Sequence, residues 1–457
     1  MSTRSHLTVY GATGFTAKAV VAELWKGGSK RWPSSFKWTI AGRNRSALES
    51  LRNSLAGLEE SNMALPDIVL ADVHNQESLN DMASKTHLVL NCVGPYRDYG
   101  EPVVKACLES QTDYIDLCGE PAFIERMHLQ YHEKAVKKGL VICHAVAFDS
   151  VPCDLGVELC KKILRDKNAL PSTVEMFLTL NATRKPVANF TTYEAAIKGF
   201  ASTKELRDLR KRLATVRPKP APPGPPLNVK LGGANAGLLG RAGVGRDPRR
   251  NSWLVPYFFS DPAVVRLSQS LQVYLSQSGD DTASKASPVH FAAHLEINSL
   301  RAIFLFIFYF IIFQFLAVRE WGRELLYRYP GLFTHGVVRK GNIRQSELEG
   351  ISFAQTFYAR GFSSPGLASS GHMPNVGLTL RIAGPEAGYV ATPIIFLEVA
   401  SVLLRKRDDF KKGVLTPAVA FGHLDIPAPV TREGEGGVMN ALQRDGRVTW
   451  SILESQG

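Results

Sequence analysis

Several short stretches of this chain carry residue types arranged for chemistry on a phosphorylated ligand. Gly11-Ala12-Thr13-Gly14-Phe15-Thr16-Ala17 follows the apolar run His6–Tyr10 and opens a helical pattern. In that setting Gly11 allows a tight turn, and Gly14 lets the backbone approach a pyrophosphate at a helix N-terminus. Ala17 is small enough for helix and strand to pack closely. Thr13, Phe15 and Thr16 supply the rest of the cradle. At the end of the second apolar run, Ala41-Gly42-Arg43-Asn44-Arg45 stands where an NAD site places a carboxylate for the ribose hydroxyls. Two guanidiniums without a carboxylate suit a 2′-phosphate, so the pattern favours NADP(H) over NAD(H). The bland alternative is that Arg43 and Arg45 are solvated residues at a helix entry. Asp72 ends the third run, placed to accept from an adenine amine. Val93-Gly94-Pro95 closes the fourth, beside a nicotinamide ribose.

Hydride transfer asks of the protein only positioning and a means to stabilise developing charge. The candidates lie on loops after the fourth to sixth runs: Tyr96 as a hydrogen-bond or proton donor, Asp116 and Glu120 around the fifth, and Asp149 and Ser150 after the sixth. Tyr96 and Asp149 are the two selected as catalytic. Against this, Asp149 and Asp154 could cap the helix around residue 153, and Glu120 the helix after Pro121. Tyr131-His132-Glu133-Lys134 has the wrong spacing for a Tyr-x-x-x-Lys pair. His128/His132 and His290/His294 have i,i+4 spacing, but neither has a third ligand in sequence, so no metal is expected. There is no zinc-finger or RNP-like motif, and nucleic acid is not an expected partner.

These residues need a scaffold, and the first 150 positions supply its rhythm. Apolar runs of strand length at 6–10, 36–41, 67–71, 88–93, 114–117 and 140–143 alternate with helical patterns. That alternation predicts an α/β fold with a doubly wound parallel sheet and a ligand at the carboxyl ends of its strands. After Pro152 the pattern changes to a helix at 153–164, alternating runs at 174–180, 376–382 and 448–453, and a helix-like stretch at 389–404. The reading is a nucleotide-binding domain over 1–150 and an α+β domain over 151–457 with an antiparallel sheet. A Pro/Gly-rich loop at 214–250 and a hydrophobic helix at 302–318 interrupt the second domain.

The chain has 457 residues, enough for two or three domains. With 45% hydrophobic and 21% charged residues it excludes collagen-like, wholly disordered and disulfide-scaffold classes. The six cysteines fall between Cys92 and Cys160 on apolar segments, which reads as reduced core thiols. The N-terminal stretch lacks the apolar region of a secretory signal, so a protein that is not secreted is expected. The net charge of +12 fits an anionic cofactor or an anionic membrane surface.

The segments GATGFTA, AGRN, NCVGPYRDYGEPVVKAC, DYIDLCGE and AFDSVPCDLG stand in this order from residue 11 to 156. In them the chain resembles the saccharopine dehydrogenase-like oxidoreductase family, which includes trans-acting enoyl reductases of mycobacterial lipid synthesis. The likeness resumes at Gly388–Thr392 and Gly413–Pro417 and is poor over residues 200–345. It implies a Rossmann domain that binds NADP(H) and a substrate domain completed by the C-terminal part of the chain. Within that family an apolar lipid, acyl or polyketide substrate is the better fit, reduced at a C=C bond. The alternatives are a catalytically silent nucleotide-binding scaffold on a lipid droplet or membrane, and a saccharopine-type amino-acid dehydrogenase.

Ala302–Val318 reads AIFLFIFYFIIFQFLAV, bracketed by Arg301 and Arg319 and followed by Trp321, Tyr327 and Tyr329. As a helix it would reach about 25 Å, short of a hydrocarbon core of about 30 Å. The expected partner is a membrane or lipid-droplet surface, entered from one side. That places the protein on the cytosolic face of the endoplasmic reticulum or on a lipid droplet. A full span, and a helix buried in the core or in a homodimer, are the alternatives. Aromatic and arginine flanks suit an interface.

Overall fold

The computed structural model describes residues 4–57, 63–183, 185, 187–217, 219–225, 244–247, 249–277, 287–341, 343–425, 427 and 435–456. Residues 226–243, about half of the expected 214–250 loop, lie outside them, as do residues 278–286. The chain divides into two compact units: residues 1–151, 387–425 and 430–445, and residues 152–386, 426–429 and 446–457.

The first unit opens with β1 (Ser5–Tyr10), α1 (Phe15–Arg31), β2 (Trp38–Gly42), α2 (Arg45–Ala56), β3 (Asp67–Leu70) and α3 (Gln76–Ser84). It continues with β4 (Thr86–Asn91), α4 (Tyr96–Glu109), β5 (Asp113–Asp116), α5 (Pro121–Lys137) and β6 (Val141–Cys143). Helix α4 begins at Tyr96, directly after the turn at Val93–Pro95. Pro102 is its seventh residue, so the helix forgoes the bond that an N–H there would make to the Asp98 carbonyl. The strands form one parallel seven-stranded sheet whose seventh member is a later strand, Gly413–Leu415, paired with β6. Residues 387–425 and 430–445, which the sequence reading placed in the second domain, belong to the first unit. The apolar helix Thr392–Arg405 explains the rest, since nearly all its residues are buried and it packs along α1. Arg31 of α1 fixes that contact, bonding Glu398 at 2.8 Å, Asp445 at 3.2 Å and Glu23 at 3.3 Å. All six cysteines are free thiols, five of them buried, as befits apolar core residues.

The second unit begins with α6 (Val151–Asp166) and β7 (Leu170–Ala182), then β8 (Ala188–Asn189), α7 (Phe190–Ala201) and α8 (Thr203–Val216). Its further strands are β9 (Gly245–Asp247), β10 (Ser252–Pro256), β11 (His290–Ile297), β12 (Val338–Arg339), β13 (Ile351–Phe362), β14 (Val376–Pro385) and β16 (Thr449–Gln456); β15 is Gly413–Leu415 of the first unit. Its main sheet has the order β16-β14-β13-β7-β11-β10-β9. All neighbours are antiparallel except β7 and β11, so the sheet is mixed where an antiparallel one was expected. Helix α6 lies against β13 and β14: a Cβ on Gly156 would stand 2.7 Å from Phe357 and 2.9 Å from Ile382. Asp154 accepts from Ser268 of the helix Asp261–Gln277 at 2.8 Å, so its carboxylate joins two helices.

The phenylalanine-rich block forms a helix at Leu300–Ala317, capped by the Ser299 hydroxyl. One side, through Leu316 and Ala317, packs on Tyr193 and Ile197 of α7, with Leu326 and Val338 completing the cluster. The other side is bare: Phe304, Phe308, Ile311 and Phe315 are exposed, one helical stripe at i, i+4, i+7 and i+11. Among the described residues, two helices are long and apolar enough to cross a membrane. Ala387–Arg405 is 72% buried, as a core helix should be, whereas Leu300–Ala317 is only 17% buried.

Candidate functional site

The turn after β1 is a cradle that side chains would fill. Gly11 has φ +77°, and a Cβ there would lie 2.5 Å from Cγ2 of Val93. Its N–H donates to the carbonyl of Ala41, and its own carbonyl accepts from Gly14 at 2.8 Å. Gly14 is the exposed residue preceding α1, where a Cβ would stand 3.1 Å from the Gly11 carbonyl. Ala17 is buried against the sheet, and Phe15 meets Tyr389 edge-on at 4.9 Å. Thr13 and Thr16 are part-exposed on the same turn and first helical turn. With no acidic residue in the first turn of α1, its free N–H groups present an uncompensated positive end.

Arg43 and Arg45 stand exposed at the start of α2. Asn44 caps that helix by accepting from Ala47 at 3.1 Å, which fixes the backbone between the two arginines. Arg45 reaches Glu49 at 3.8 Å, a solvated i,i+4 pair worth little. Asp72 is held by its own turn, its carboxylate accepting from the N–H of His74 at 3.0 Å. Val93 donates its N–H to Asn91 Oδ1 at 3.0 Å, and both Val93 and Gly94 are part-exposed at the end of β4. These residues fit a dinucleotide with a 2′-phosphate: small residues where backbone must approach, free donors at a helix start, and cations at the second strand.

The acid–base candidates separate in the structure. Tyr96 is buried, and its hydroxyl donates to the Asn91 carbonyl at 2.9 Å and accepts from the Leu117 N–H at 3.2 Å. Burial, then Asp116, holds this phenol well above its usual pKa, and its proton is tied to the backbone. Glu120 caps a different helix from the one expected. Its two oxygens accept from Tyr96 and Arg97 at 2.7 and 3.1 Å, at the start of α4. Asp149 is half-buried after β6, with Oδ1 buried and without a partner. Burial raises its pKa to about 6.

The histidine pairs resolve without metal geometry. His128 and His132 both turn Nδ1 to the Val414 carbonyl, at 2.7 and 3.1 Å. His290 and His294 lie on strand β11, not on a helix, which removes the helix-face chelate.

Sequence reasoning missed a buried polar network at the carboxyl ends of β4, β5 and β6. Asn91, last in β4, donates to the Tyr114 hydroxyl at 3.0 Å, and that hydroxyl donates to Asp116 Oδ2 at 2.8 Å. Nδ1 of His144, the residue after β6, lies 2.7 Å from the same oxygen. Asp116 Oδ1 accepts from the N–H groups of Cys118 and Ala145 at 3.1 and 3.2 Å. A signal was there: Asn91 and Asp116 are polar residues inside two apolar runs, and His144 directly follows a third.

With this geometry in place, comparison with known proteins identifies the lineage. Residues 7–143 match the family described as saccharopine dehydrogenase NADP binding domain. A saccharopine dehydrogenase-like oxidoreductase of Rattus norvegicus is 36% identical over 434 residues, covering 94% of this chain and 95% of the relative. The chain belongs to the saccharopine dehydrogenase-like oxidoreductase family. As a member it is an NADP-binding oxidoreductase, and NADP(H) is its cofactor. A lipid droplet localized protein of Caenorhabditis elegans is 29% identical, with 93% of this chain and 95% of that one aligned. A putative trans-acting enoyl reductase of Mycobacterium tuberculosis is 37% identical over 163 residues, 36% of this chain and 37% of that one. Among solved structures, the apo L-Glu-forming saccharopine dehydrogenase of Saccharomyces cerevisiae superposes with a TM-score of 0.51 at 10% identity. It covers 98% of this chain and 100% of that one, a likeness of fold alone.

Proposed function

We propose that this oxidoreductase reduces the C=C bond of an apolar acyl or polyketide thioester with NADPH while seated on a lipid surface. The observation that carries the reading is the bare apolar stripe of the Leu300–Ala317 helix, borne by an NADP-dependent enzyme. Its rim suits a monolayer. Arg319 lies over the Phe315 ring at 3.7 Å and donates to the Phe315 carbonyl at 2.6 Å, while Arg323 donates to the carbonyls of Ala317 and Val318. The last carbonyls of the apolar helix are thus capped by guanidiniums that can stay among headgroups. Names of relatives point the same way: one for lipid droplets, one for enoyl reduction. The location proposed is the cytosolic face of the endoplasmic reticulum or a droplet.

Bound NADPH supplies the hydride. Gly11, Gly14 and the first turn of α1 hold its pyrophosphate, Arg43 and Arg45 its 2′-phosphate, Asp72 the adenine, and Val93 and Gly94 the nicotinamide ribose. The loop after β6 supplies the proton. Asp149, with its raised pKa, can exchange a proton near neutrality. Tyr96, its hydroxyl committed to the backbone, supports the loop instead. A saccharopine-type substrate needs cations for several carboxylates, yet Arg249 and Arg250 of the second sheet are taken. Arg249 is held by Asp247 and Glu175, and Arg250 by Glu296.

The test is NADPH oxidation with trans-2-decenoyl-CoA, with phospholipid vesicles present, alongside a saccharopine assay. Saturable oxidation with the thioester is expected. Turnover only with saccharopine, or cofactor binding without turnover on any acyl thioester, would overturn the reading; the latter leaves a lipid-droplet scaffold.

A further inference from the structure

The Asp116–His144 pair has features that a purely structural pair lacks. Both side chains are 0% exposed. Every Asp116 oxygen is used: Oδ2 takes the Tyr114 hydroxyl and His144 Nδ1, while Oδ1 takes two backbone N–H groups. His144 Nε2, by contrast, is buried with no hydrogen-bond partner. Buried polar atoms are nearly always paired, and an orphan beside a fully satisfied carboxylate is the arrangement of a group kept for a ligand.

The backbone bends to build it. Ala145 has φ +61°, a left-handed conformation unusual for alanine. That bend delivers His144 Nδ1 and the Ala145 N–H to the two oxygens of one carboxylate, while the Val146 N–H reaches the Asp116 carbonyl at 2.7 Å. Asn91 pairs across from Asp116 in the sheet, and Cys143 from Ile115, so His144 is the next residue beside Asp116. All three are at the carboxyl edge of a parallel sheet, the edge where such folds bind ligands. They also adjoin Val93 and Gly94 through the Asn91–Val93 hydrogen bond.

We propose that His144, oriented by Asp116, is the acid–base group that hands the proton to the substrate in this enzyme's hydride transfer. The inference rests on the reductase reading above and gives the proton transfer to His144 in place of Asp149. In the reduction, the β-carbon forms a C–H bond with the hydride and NADPH becomes NADP+. The C=C π pair moves to the α-carbon and the thioester oxygen. The α-carbon then forms its C–H bond with the proton of imidazolium Nε2, whose N–H pair stays on nitrogen. Neutral His144 regains a proton from water that enters when the product leaves. Asp116 remains a carboxylate throughout, holding the proton on Nδ1 and balancing the imidazolium.

Two measurements on the full-length protein test this. In the first, Asp116→Asn and His144→Gln are compared with wild type for NADPH affinity by fluorescence, for melting temperature, and for kcat and KM with trans-2-decenoyl-CoA. Each variant is expected to lose about 100-fold or more in kcat, with KM and NADPH affinity changed less than about threefold. Retention of kcat within tenfold overturns the proposal. So does a loss confined to Asp149→Asn, or joint loss of NADPH binding and cooperative melting in soluble variants. The second measurement is histidine-selective 15N NMR of the wild type, with NADP+ added, and needs neither substrate nor a stable variant. A proton on Nδ1 of His144, and an Nε2 resonance that moves with NADP+, support the assignment. A neutral ring protonated at Nε2, or an Nε2 indifferent to NADP+, overturns it. If wild type ignores the thioester while the NMR result stands, the substrate class fails and the acid–base assignment does not.

Discussion

Arg43 and Asp149 pose opposite electrostatic problems, one a cation waiting for a charge and the other a carboxyl kept from ionising. Arg43 is exposed at the end of β2 with no carboxylate of its own turn to answer it, so a 2′-phosphate is its natural counter-charge. Arg43→Asp should weaken NADPH binding by about tenfold or more beyond any effect on NADH, read by fluorescence titration. Equal losses for the two cofactors would remove the 2′-phosphate role. Asp149 has a folded-state pKa of about 6, raised by burial above its ordinary value of 3.8. Above about pH 6 the carboxylate is ionised in both folded and unfolded chains, and the folded state bears the full cost of the buried charge. Below the ordinary value it is protonated in both, and the cost vanishes. The difference is on the order of 2–3 kcal/mol. Asp149→Asn should therefore raise the melting temperature more at pH 8 than at pH 4; a constant shift across that range would contradict the raised pKa.

The elements explain why the apolar helix cannot simply be deleted. Leu300–Ala317 has two faces with different duties. Leu316 and Ala317 are packed with Tyr193 and Ile197, so removal of the whole segment would strip the cover from α7 and cost stability. Phe308 and Ile311 lie on the bare stripe and touch the lipid surface in the proposal. Phe308→Asp with Ile311→Asp should abolish flotation with phosphatidylcholine vesicles or triolein droplets and leave the melting temperature within a degree or two. Wild type that fails to float, or a double variant that still floats, would count against insertion. The turn that follows is tight: a Cβ on Gly322 would stand 2.3 Å from the Leu316 carbonyl. This closeness lets Arg323 reach back to cap the apolar helix.

At the scale of the whole molecule, the nucleotide-binding unit is discontinuous in sequence. Its sheet is completed by β15, and its α1 is covered by Thr392–Arg405. Arg31 depends on Glu398 and Asp445 from that later segment, and Asp113 on Arg407, whose Nε lies 2.6 Å away. A fragment of residues 1–151 would leave the α1 face and the β6 edge bare and the buried Arg31 short of two counter-charges. We expect it to show no cooperative thermal transition by near-ultraviolet circular dichroism. A sharp, reversible transition would show that the later segment is an accessory. The +12 charge also has local addresses: the exposed Arg43 and Arg45, proposed above for the 2′-phosphate, and guanidiniums closing the apolar helix.

Period and punctuation made the first half legible from the sequence. Alternating apolar runs and helical patterns predict the parallel sheet, the glycine turn at 11–14 predicts the cradle, and the missing carboxylate after the second strand favours NADP(H). The block at 302–318 also announces itself, because hydrophobic length needs no tertiary partner to be seen. Strand β13 escaped, although it is the longest-paired strand of the second sheet. Its sequence ISFAQTFYARGF mixes polar residues on both faces, and neighbours rather than periodicity make it a strand. Register and long-range closure decided the rest. Asn91, Asp116 and His144 are 25 and 28 residues apart in sequence, and each alone is an ordinary polar residue in or just after an apolar run. Only parallel pairing sets them side by side, and only the left-handed turn at Ala145 aims the imidazole at the carboxylate. Short-range pattern is written in the chain itself, whereas a buried polar site exists only once distant strands have excluded water together.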